Sequence, residues 1–265
     1  HAGLERGSSV LAEALSGAAC AVHLIGSIAP RKGEKFEDLH AGQTAELIAA
    51  CQKSGVPKIV LLTALGSDSD AASAYHRTKF QSEQLVAKSG LQFVILRPSL
   101  IVGRQVGSRD SKLVSRYRKM IIEKSGIPLI NGGANKLQPV FVGDLTAALV
   151  QAAATSIADG KTVEIGGADV VSMRDFVCRL MDSLKVTKPI ASIPSGLVSL
   201  AAGLLEMFQS VPLVTRDQVI LACQDNICKE NGLAGVFALE PLTLKLALQS
   251  YFDNVERHET TAGRS

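Results

Sequence analysis

Apolar runs alternate with helically periodic segments along the first hundred residues of the chain. Three runs are almost continuously apolar and end near glycine or proline, which predicts buried strands at 21–26, at 58–63 and within 90–103. Apolar positions three and four residues apart predict helices at 9–15 and 36–54. Buried strands that alternate with helices predict a parallel α/β sheet covered on both faces.

The pattern changes after Gly103. Residues 104–126 are basic and helically spaced, and a glycine-rich turn then leads to a helix that begins near Asp144. The Asp144 carboxylate is a candidate N-cap or first-turn acid. The segment KTVEIGG predicts one more strand, and from Ser172, a candidate cap, the chain is mostly helical.

Composition and charge narrow the class of protein. The net charge is +3, the basic residues are scattered and Trp is absent, which argues against a nucleic-acid partner. The five cysteines contain no C-x-x-C pair, so we expect neither a disulfide framework nor a structural metal site. Reduced thiols predict a cytoplasmic location.

One segment, residues 189–208, is almost as apolar as a membrane span. Its uninterrupted apolar part, 197–205, is shorter than the ~20 residues that a spanning helix needs. A buried or half-buried helix of a small lobe is therefore favoured, and a helix lying on a membrane surface is the alternative.

The stretch SAYHRTKFQSEQLV contains the best indication of chemistry. Tyr75 and Lys79 are four residues apart, so on a helix both side chains lie on one face. A phenol has a pKa of about 10, and a neighbouring ammonium would lower it, which predicts a general acid/base. Thr63 at the preceding strand end, or Ser67, would then hold the substrate oxygen. By itself the spacing is also common on solvated helix faces.

In this context the sequence resembles the short-chain dehydrogenase/reductase superfamily, in its extended or atypical, NAD-dependent epimerase/dehydratase-like branch. The matching segments are AVHLIGS, IVLLTALGS, YHRTK, FVILRPSLIVG and QPVFVGDLTAAL. They follow one another in the family's order from Ala21 to about Val150. The later segments PLVTRDQVILACQDNIC and LEPLTLKLALQSYF are most similar to the subgroup of the NAD(P)H-binding accessory subunit of respiratory complex I.

The resemblance implies an α/β fold: a Rossmann-type parallel sheet that lacks its first strands, with a small, mostly helical C-terminal substrate lobe. Residues 1–103 and 139–170 would form the NAD(P)-binding domain. Residues 104–138 and 171–265 would form the lobe. Asp144 is expected to be an N-cap that fixes the loop beneath this lobe.

The resemblance also implies a site for NAD or NADP at the carboxyl ends of the strands. Thr63, Tyr75 and Lys79 would take the catalytic positions. The implied cofactor-binding residues are Leu24, Ile25, Gly26, Ser27, Lys79, Arg97, Pro98 and Ser99. For Arg97, a strand-end salt bridge is an equally open role, and His23 is expected to be a core histidine with a satisfied hydrogen bond.

The superfamily's glycine turn, G-x-x-G-x-x-G, which holds the pyrophosphate, does not occur in the sequence. The strand at 21–26 corresponds to the fourth strand of the family sheet. We therefore expect the sequence to be a fragment, with ~60 residues preceding it. An open apolar sheet edge and weak or absent cofactor binding would follow.

Two functions of different classes follow from the resemblance. The first is an NAD(P)-dependent oxidoreductase that acts on a hydroxyl or carbonyl group of a small-molecule substrate, which the Tyr75 and Lys79 pair favours. The second is a non-catalytic NAD(P)H-binding accessory or assembly protein of a respiratory complex, in an organelle matrix or peripheral on a membrane. The C-terminal segments favour this second function. A third hypothesis is a sugar-nucleotide epimerase or dehydratase, but no feature of the sequence indicates binding of a nucleotide-sugar.

Overall fold

The structure, a computed structural model, describes residues 9–28, 34–103, 112–208 and 215–251. Its first elements are α1 (Ser9–Ala14), β1 (Ala21–His23), a π-helical turn (Asp38–Gly42), α2 (Gln43–Ser54), β2 (Lys58–Leu62), α3 (Ala74–Ala87) and β3 (Gln92–Pro98). Next come β4 (Ile101–Val102), α4 (Lys112–Glu123), β5 (Ile127–Ile130), β6 (Lys136–Leu137), β7 (Val140–Phe141), α5 (Val142–Ala154) and β8 (Thr162–Ile165). The last are β9 (Val171–Ser172), α6 (Met173–Ser183), β10 (Ile190–Ile193), α7 (Ser195–Phe208), α8 (Arg216–Cys223), α9 (Gly232–Gly235) and α10 (Leu244–Gln249).

The main sheet has the strand order β1-β2-β3-β8, and all neighbours run parallel. On β2, Ile59 and Leu61 share an apolar cluster with Leu47 of α2, whereas Val60 shares another with Ala148 of α5. Burial on both faces explains the continuous apolar runs. The predicted Rossmann-type parallel sheet is confirmed, and its carboxyl strand ends meet at one edge.

Strand β1 is shorter than predicted. It ends at His23 instead of residue 26, and Val22 is 43% exposed. In the part of the chain that the structure describes, β1 pairs only with β2. Beyond His23 the backbone leaves the ladder, and the Ile25 carbonyl accepts a hydrogen bond from Lys79 on α3. The residues after the strand end therefore contact a distant helix.

A second apolar core lies in the lobe. It is built from α4, β5, α6 and α10, and its members include Ile121, Ile127, Phe176, Leu180 and Leu248. Helix α6 begins with a capping box in which the Ser172 hydroxyl accepts from the amide of Asp175 at 3.0 Å, so the predicted cap is confirmed. Leu233 and Phe237, however, belong to the cluster under the sheet, so residues 171–265 contribute to both cores.

Of the two roles predicted for Asp144, the N-cap is wrong and the first-turn acid is confirmed. Helix α5 begins at Val142 with Phe141 as its N-cap, so Asp144 lies in the first turn. Its carboxylate accepts a hydrogen bond from the amide of Leu242 at 2.8 Å. This residue therefore ties α5 to the segment before α10, near the junction of the two cores.

Helix α7 corresponds to the most apolar segment of the sequence. Ala202 is buried, whereas Leu197 and Leu200 are 61% and 62% exposed. This helix is therefore half-buried, in agreement with the expectation of a buried or half-buried helix. Across the described ranges, every helix is too short or too polar to cross a bilayer.

Candidate nucleotide-binding site

Lys79 extends from α3 into the notch between the carboxyl ends of β1 and β2. Its Nζ donates to the carbonyl of Ile25 at 3.2 Å and to that of Leu62 at 3.3 Å. A methyl group on Gly26 would lie 2.6 Å from this Nζ, so a larger residue here would require the end of the Lys79 side chain to shift. Burial lowers the pKa of Lys79 to about 8, although the Glu83 carboxylate opposes the shift. The notch therefore holds one largely desolvated cation.

Tyr75 lies one turn before Lys79 on the same face of α3. Its ring packs edge-on against His40 and Phe36, with ring centres 5.5 Å and 6.3 Å away, and also contacts His76. Within the described residues, its hydroxyl has no hydrogen-bond partner. Tyr75 and Lys79 therefore lie on one face of α3, as the sequence predicted.

The predicted direction of the Tyr75 pKa shift is wrong. Burial raises the pKa of Tyr75 to about 12 instead of lowering it. The reason is geometric: the Lys79 ammonium is held by two strand-end carbonyls, and aromatic rings desolvate the phenol. In this arrangement the phenol stays protonated at neutral pH.

Thr63 is buried, and its hydroxyl is already engaged. It donates to Glu83 Oε1 at 2.6 Å. A threonine hydroxyl carries a single proton, so this bond competes directly with donation to a substrate oxygen. The alternative, Ser67, donates to the carbonyl of Ala64 at 2.7 Å. A catalytic role for Thr63 stays a prediction, which this hydrogen bond disfavours.

Glu83 is a central polar residue that the sequence reasoning missed. It is 2% exposed and lies one turn beyond Lys79 on α3. Its carboxylate accepts from Arg97 Nε at 2.9 Å and forms an ion pair with the same guanidinium. Of the two roles left open for Arg97, the salt bridge is the one observed. The spacing 75, 79, 83 on one helix face was the available signal.

The strand-end segment, residues 24–27, borders the notch. Its first three residues are exposed, and Ser27 is half-buried. The Ser27 amide donates to His40 Nε2 at 3.3 Å. The structure thus brings the segment beside Lys79, as the sequence predicted for Leu24, Ile25, Gly26 and Ser27. Their cofactor contacts remain a prediction.

Pro98 and Ser99 lie at the end of β3 and face partners within the chain. The Pro98 carbonyl accepts from the amide of Leu65 at 2.9 Å. The Ser99 hydroxyl donates to Asn226 of the C-terminal segment at 2.7 Å. Both residues are at the carboxyl edge of the sheet, and their predicted place beside a nicotinamide stays a prediction.

His23 and His40 are buried beside the notch and were not assigned to it by sequence. They are 4% and 1% exposed, and burial together with the Lys79 charge lowers the pKa of each to about 4. Both are therefore neutral at pH 7. The expectation that His23 has a satisfied hydrogen bond is wrong, because its Nε2 has no partner in the described part of the chain.

The C-terminal lobe reaches this site through Asp217 of α8. Its carboxylate accepts from the amide of Ala74 at 2.6 Å and from that of Tyr75 at 3.4 Å. These amides belong to the first turn of α3, where a negative charge is favoured by the helix dipole. Asp217 therefore fixes the helix that carries Tyr75 and Lys79 to the lobe.

The parallel sheet, with a cation and a glycine at its carboxyl edge, defines a Rossmann-type nucleotide-binding domain. Residues 5–117 match a family model described as NAD(P)H-binding. The match covers less than half of the chain, and it supports the expected cofactor, NAD or NADP.

Two kinds of known protein are similar to the chain. Subunit 9 of the mitochondrial NADH dehydrogenase (ubiquinone) 1 alpha subcomplex from Arabidopsis thaliana is 26% identical over 224 residues, which cover 80% of this chain and 54% of the relative. The mouse protein of that name, from Mus musculus, is 25% identical over 199 residues, 75% of this chain and 51% of the relative. The chain thus spans about half the length of these homologues.

Among solved structures, MoeE5 in complex with UDP-glucose and NAD has a TM-score of 0.71 and 16% identity, and the match covers 96% of this chain and 85% of that protein. At this identity the match shows the fold. Because the match covers 96% of this chain, it includes the lobe as well as the sheet.

Proposed function

We propose that this protein binds NAD(P)H in a non-catalytic, accessory role within a respiratory complex. The observation that carries the proposal is the state of the Tyr75 and Lys79 pair: the amine is turned to the strand ends, and the phenol has its pKa raised to about 12. Thr63, the third member of the predicted set, donates to Glu83. These features favour holding a nucleotide over moving a proton.

The residues of the notch fit the ribose of a nicotinamide cofactor. An ammonium has three donors, and two of those on Lys79 are used by the carbonyls of Ile25 and Leu62. The third would donate to a ribose hydroxyl. Gly26 keeps the notch free of a side chain, because a Cβ there would meet Lys79.

The homologues support the proposed partner and location. The plant and mouse relatives are named as subunits of a mitochondrial NADH dehydrogenase. We propose that this chain likewise associates with a respiratory complex, in an organelle matrix or at the membrane periphery instead of free in the cytoplasm. A small-molecule substrate is not part of this proposal.

An oxidoreductase is the second candidate, and one observation favours it. Tyr75 and Lys79 lie on one face of α3, and within the described residues the Tyr75 hydroxyl has no hydrogen-bond partner. Bound NAD(P)H would supply a hydride. The neutral Tyr75 hydroxyl would donate its proton to a carbonyl oxygen of the substrate.

Tyr75→Phe in the full-length protein separates the two candidates. Nicotinamide fluorescence measures NADH and NADPH affinity, and a panel of carbonyl compounds measures turnover, with Tyr117→Phe on α4 as the matched control. The accessory role predicts no turnover in the wild type and an affinity of Tyr75→Phe within ~2-fold of it. Turnover that Tyr75→Phe abolishes while affinity is kept would establish the oxidoreductase instead. If neither cofactor binds the wild-type protein, the proposed function is wrong.

A further inference from the structure

His40 connects the strand-end segment to α3. It lies in the π-helical turn that precedes α2, and its ring is 1% exposed. Nε2 accepts from the Ser27 amide at 3.3 Å, and Nδ1 lies 2.8 Å from Thr78 Oγ1. One ring therefore bridges the segment next to Gly26 and the residue next to Lys79.

The partners of the ring fix its protonation. A backbone amide can only donate, so Nε2 must be an unprotonated acceptor and the single proton must lie on Nδ1. Nδ1 then donates to Thr78 Oγ1, whose own proton reaches the carbonyl of Ala74 at 3.0 Å or of Tyr75 at 3.1 Å. Each donor in this chain has an acceptor, so the arrangement is satisfied with a neutral ring.

The backbone around His40 is shaped for this placement. The π-helical turn spans Asp38–Gly42, and the Thr44 hydroxyl donates to the His40 carbonyl at 2.8 Å. Single π-turns are rare and occur often at functional sites. Here the turn places the imidazole between Phe36 and Tyr75, with ring centres 5.6 Å and 5.5 Å away.

We propose that His40 is a positioning residue that clamps the strand-end segment to α3 and so sets the width of the notch at Gly26. The inference rests on the proposed NAD(P)H binding and adds the residue that holds its geometry. Without the imidazole, the Ser27 amide loses this acceptor, while the hydrogen bond from Lys79 to the Ile25 carbonyl remains. The cost would appear in cofactor affinity, because Lys79 and Gly26 would be held less tightly at their observed spacing.

Two substitutions distinguish the effect of losing the hydrogen bonds of His40 from the effect of changing its side-chain volume. His40→Phe keeps a ring of similar size and removes both polar atoms. His40→Gln restores an acceptor near the position of Nε2 and a donor. Cys51→Ala, on the buried face of α2, is the control for destabilisation, because Cys51 is fully buried and takes no part in the clamp.

The first experiment needs no cofactor. Hydrogen exchange of the Ser27 amide in the full-length protein should accelerate at least ~10-fold in His40→Phe, and stay within ~3-fold of the wild type in His40→Gln and Cys51→Ala. The ring carbon-13 shifts of His40 should report the neutral tautomer with its proton on Nδ1. Unchanged exchange in His40→Phe, or the other tautomer, would overturn the clamp.

The second experiment is the titration of NADH and NADPH followed by nicotinamide fluorescence. We expect the dissociation constant to rise ~10-fold in His40→Phe and to recover to within ~3-fold in His40→Gln, as for one lost hydrogen bond. Equal affinity of His40→Phe and wild type would overturn the inference and leave the proposed function standing. If the wild type binds neither cofactor, the proposed function fails, and hydrogen exchange alone decides whether the clamp exists.

Discussion

Replacing Glu83 with Gln tests whether one carboxylate holds the polar network beneath the notch. The substitution keeps the shape of the side chain and removes the carboxylate that is hydrogen-bonded to the Arg97 guanidinium, while the Thr63 hydroxyl loses a charged acceptor. Glu164 and Asp68 remain as other negative charges near Arg97. Removing one partner of a buried ion pair costs about 3–5 kcal/mol. The Arg97 side chain is 20% exposed, so water screens part of the loss, and we expect about 3 kcal/mol. At ~2–4 °C per kcal/mol, the melting temperature should fall by about 6–12 °C.

Urea denaturation followed by circular dichroism measures this loss in the free energy of unfolding. The control is Glu123→Gln, which removes an exposed carboxylate at the end of α4. A double-mutant cycle with Arg97→Gln should show a coupling of more than ~1 kcal/mol, since the two groups share one ion pair. A loss below ~1 kcal/mol, or additive effects, would refute the reasoning that the pair is buried and coupled.

Three further substitutions or conditions probe the same region. Lys79→Met should raise the free energy of unfolding of the cofactor-free protein by about 2 kcal/mol at pH 7, because the pKa of Lys79 is lowered to about 8 and the buried charge is removed. This gain in stability should shrink between pH 8 and about 10.5. The affinity for NAD(P)H should fall at every pH. Denaturation scans measure the stability and titrations measure the affinity, and a loss of stability in Lys79→Met would contradict the argument. The pKa values of His23 and His40 are lowered to about 4. The contribution of these two histidines to stability should therefore be fully present above about pH 6.5 and decline toward pH 4 by about 3 kcal/mol per histidine. The double His→Gln variant should flatten this slope. Asp217→Asn should cost about 1 kcal/mol, because it removes the negative charge at the first turn of α3, and 1 M salt should reduce the difference.

The hydrophobic pattern by itself determined the sheet and its helices. The apolar run predicted at 58–63 matches β2 (Lys58–Leu62) within one residue, because a strand buried on both faces of a parallel sheet is apolar at consecutive positions. The single helix predicted at 36–54 covers both the π-helical turn (Asp38–Gly42) and α2 (Gln43–Ser54). The same local rule put Tyr75 and Lys79 on one face of α3. The predicted end of β1 was wrong: the residues after His23 leave the ladder, and the Ile25 carbonyl there accepts a hydrogen bond from a side chain 54 positions later in the chain.

The chemistry of the notch was decided only by the tertiary structure. The sequence showed a phenol and an amine one turn apart. It did not show that aromatic rings would desolvate the phenol, or that Glu83 would accept a hydrogen bond from the Thr63 hydroxyl. The contacts of His40 with Thr78 and of Asp217 with Ala74 join residues 38 and 143 positions apart. Helical spacing is a property of neighbouring residues, whereas a pKa or a hydrogen-bond partner depends on every element that packs around the group.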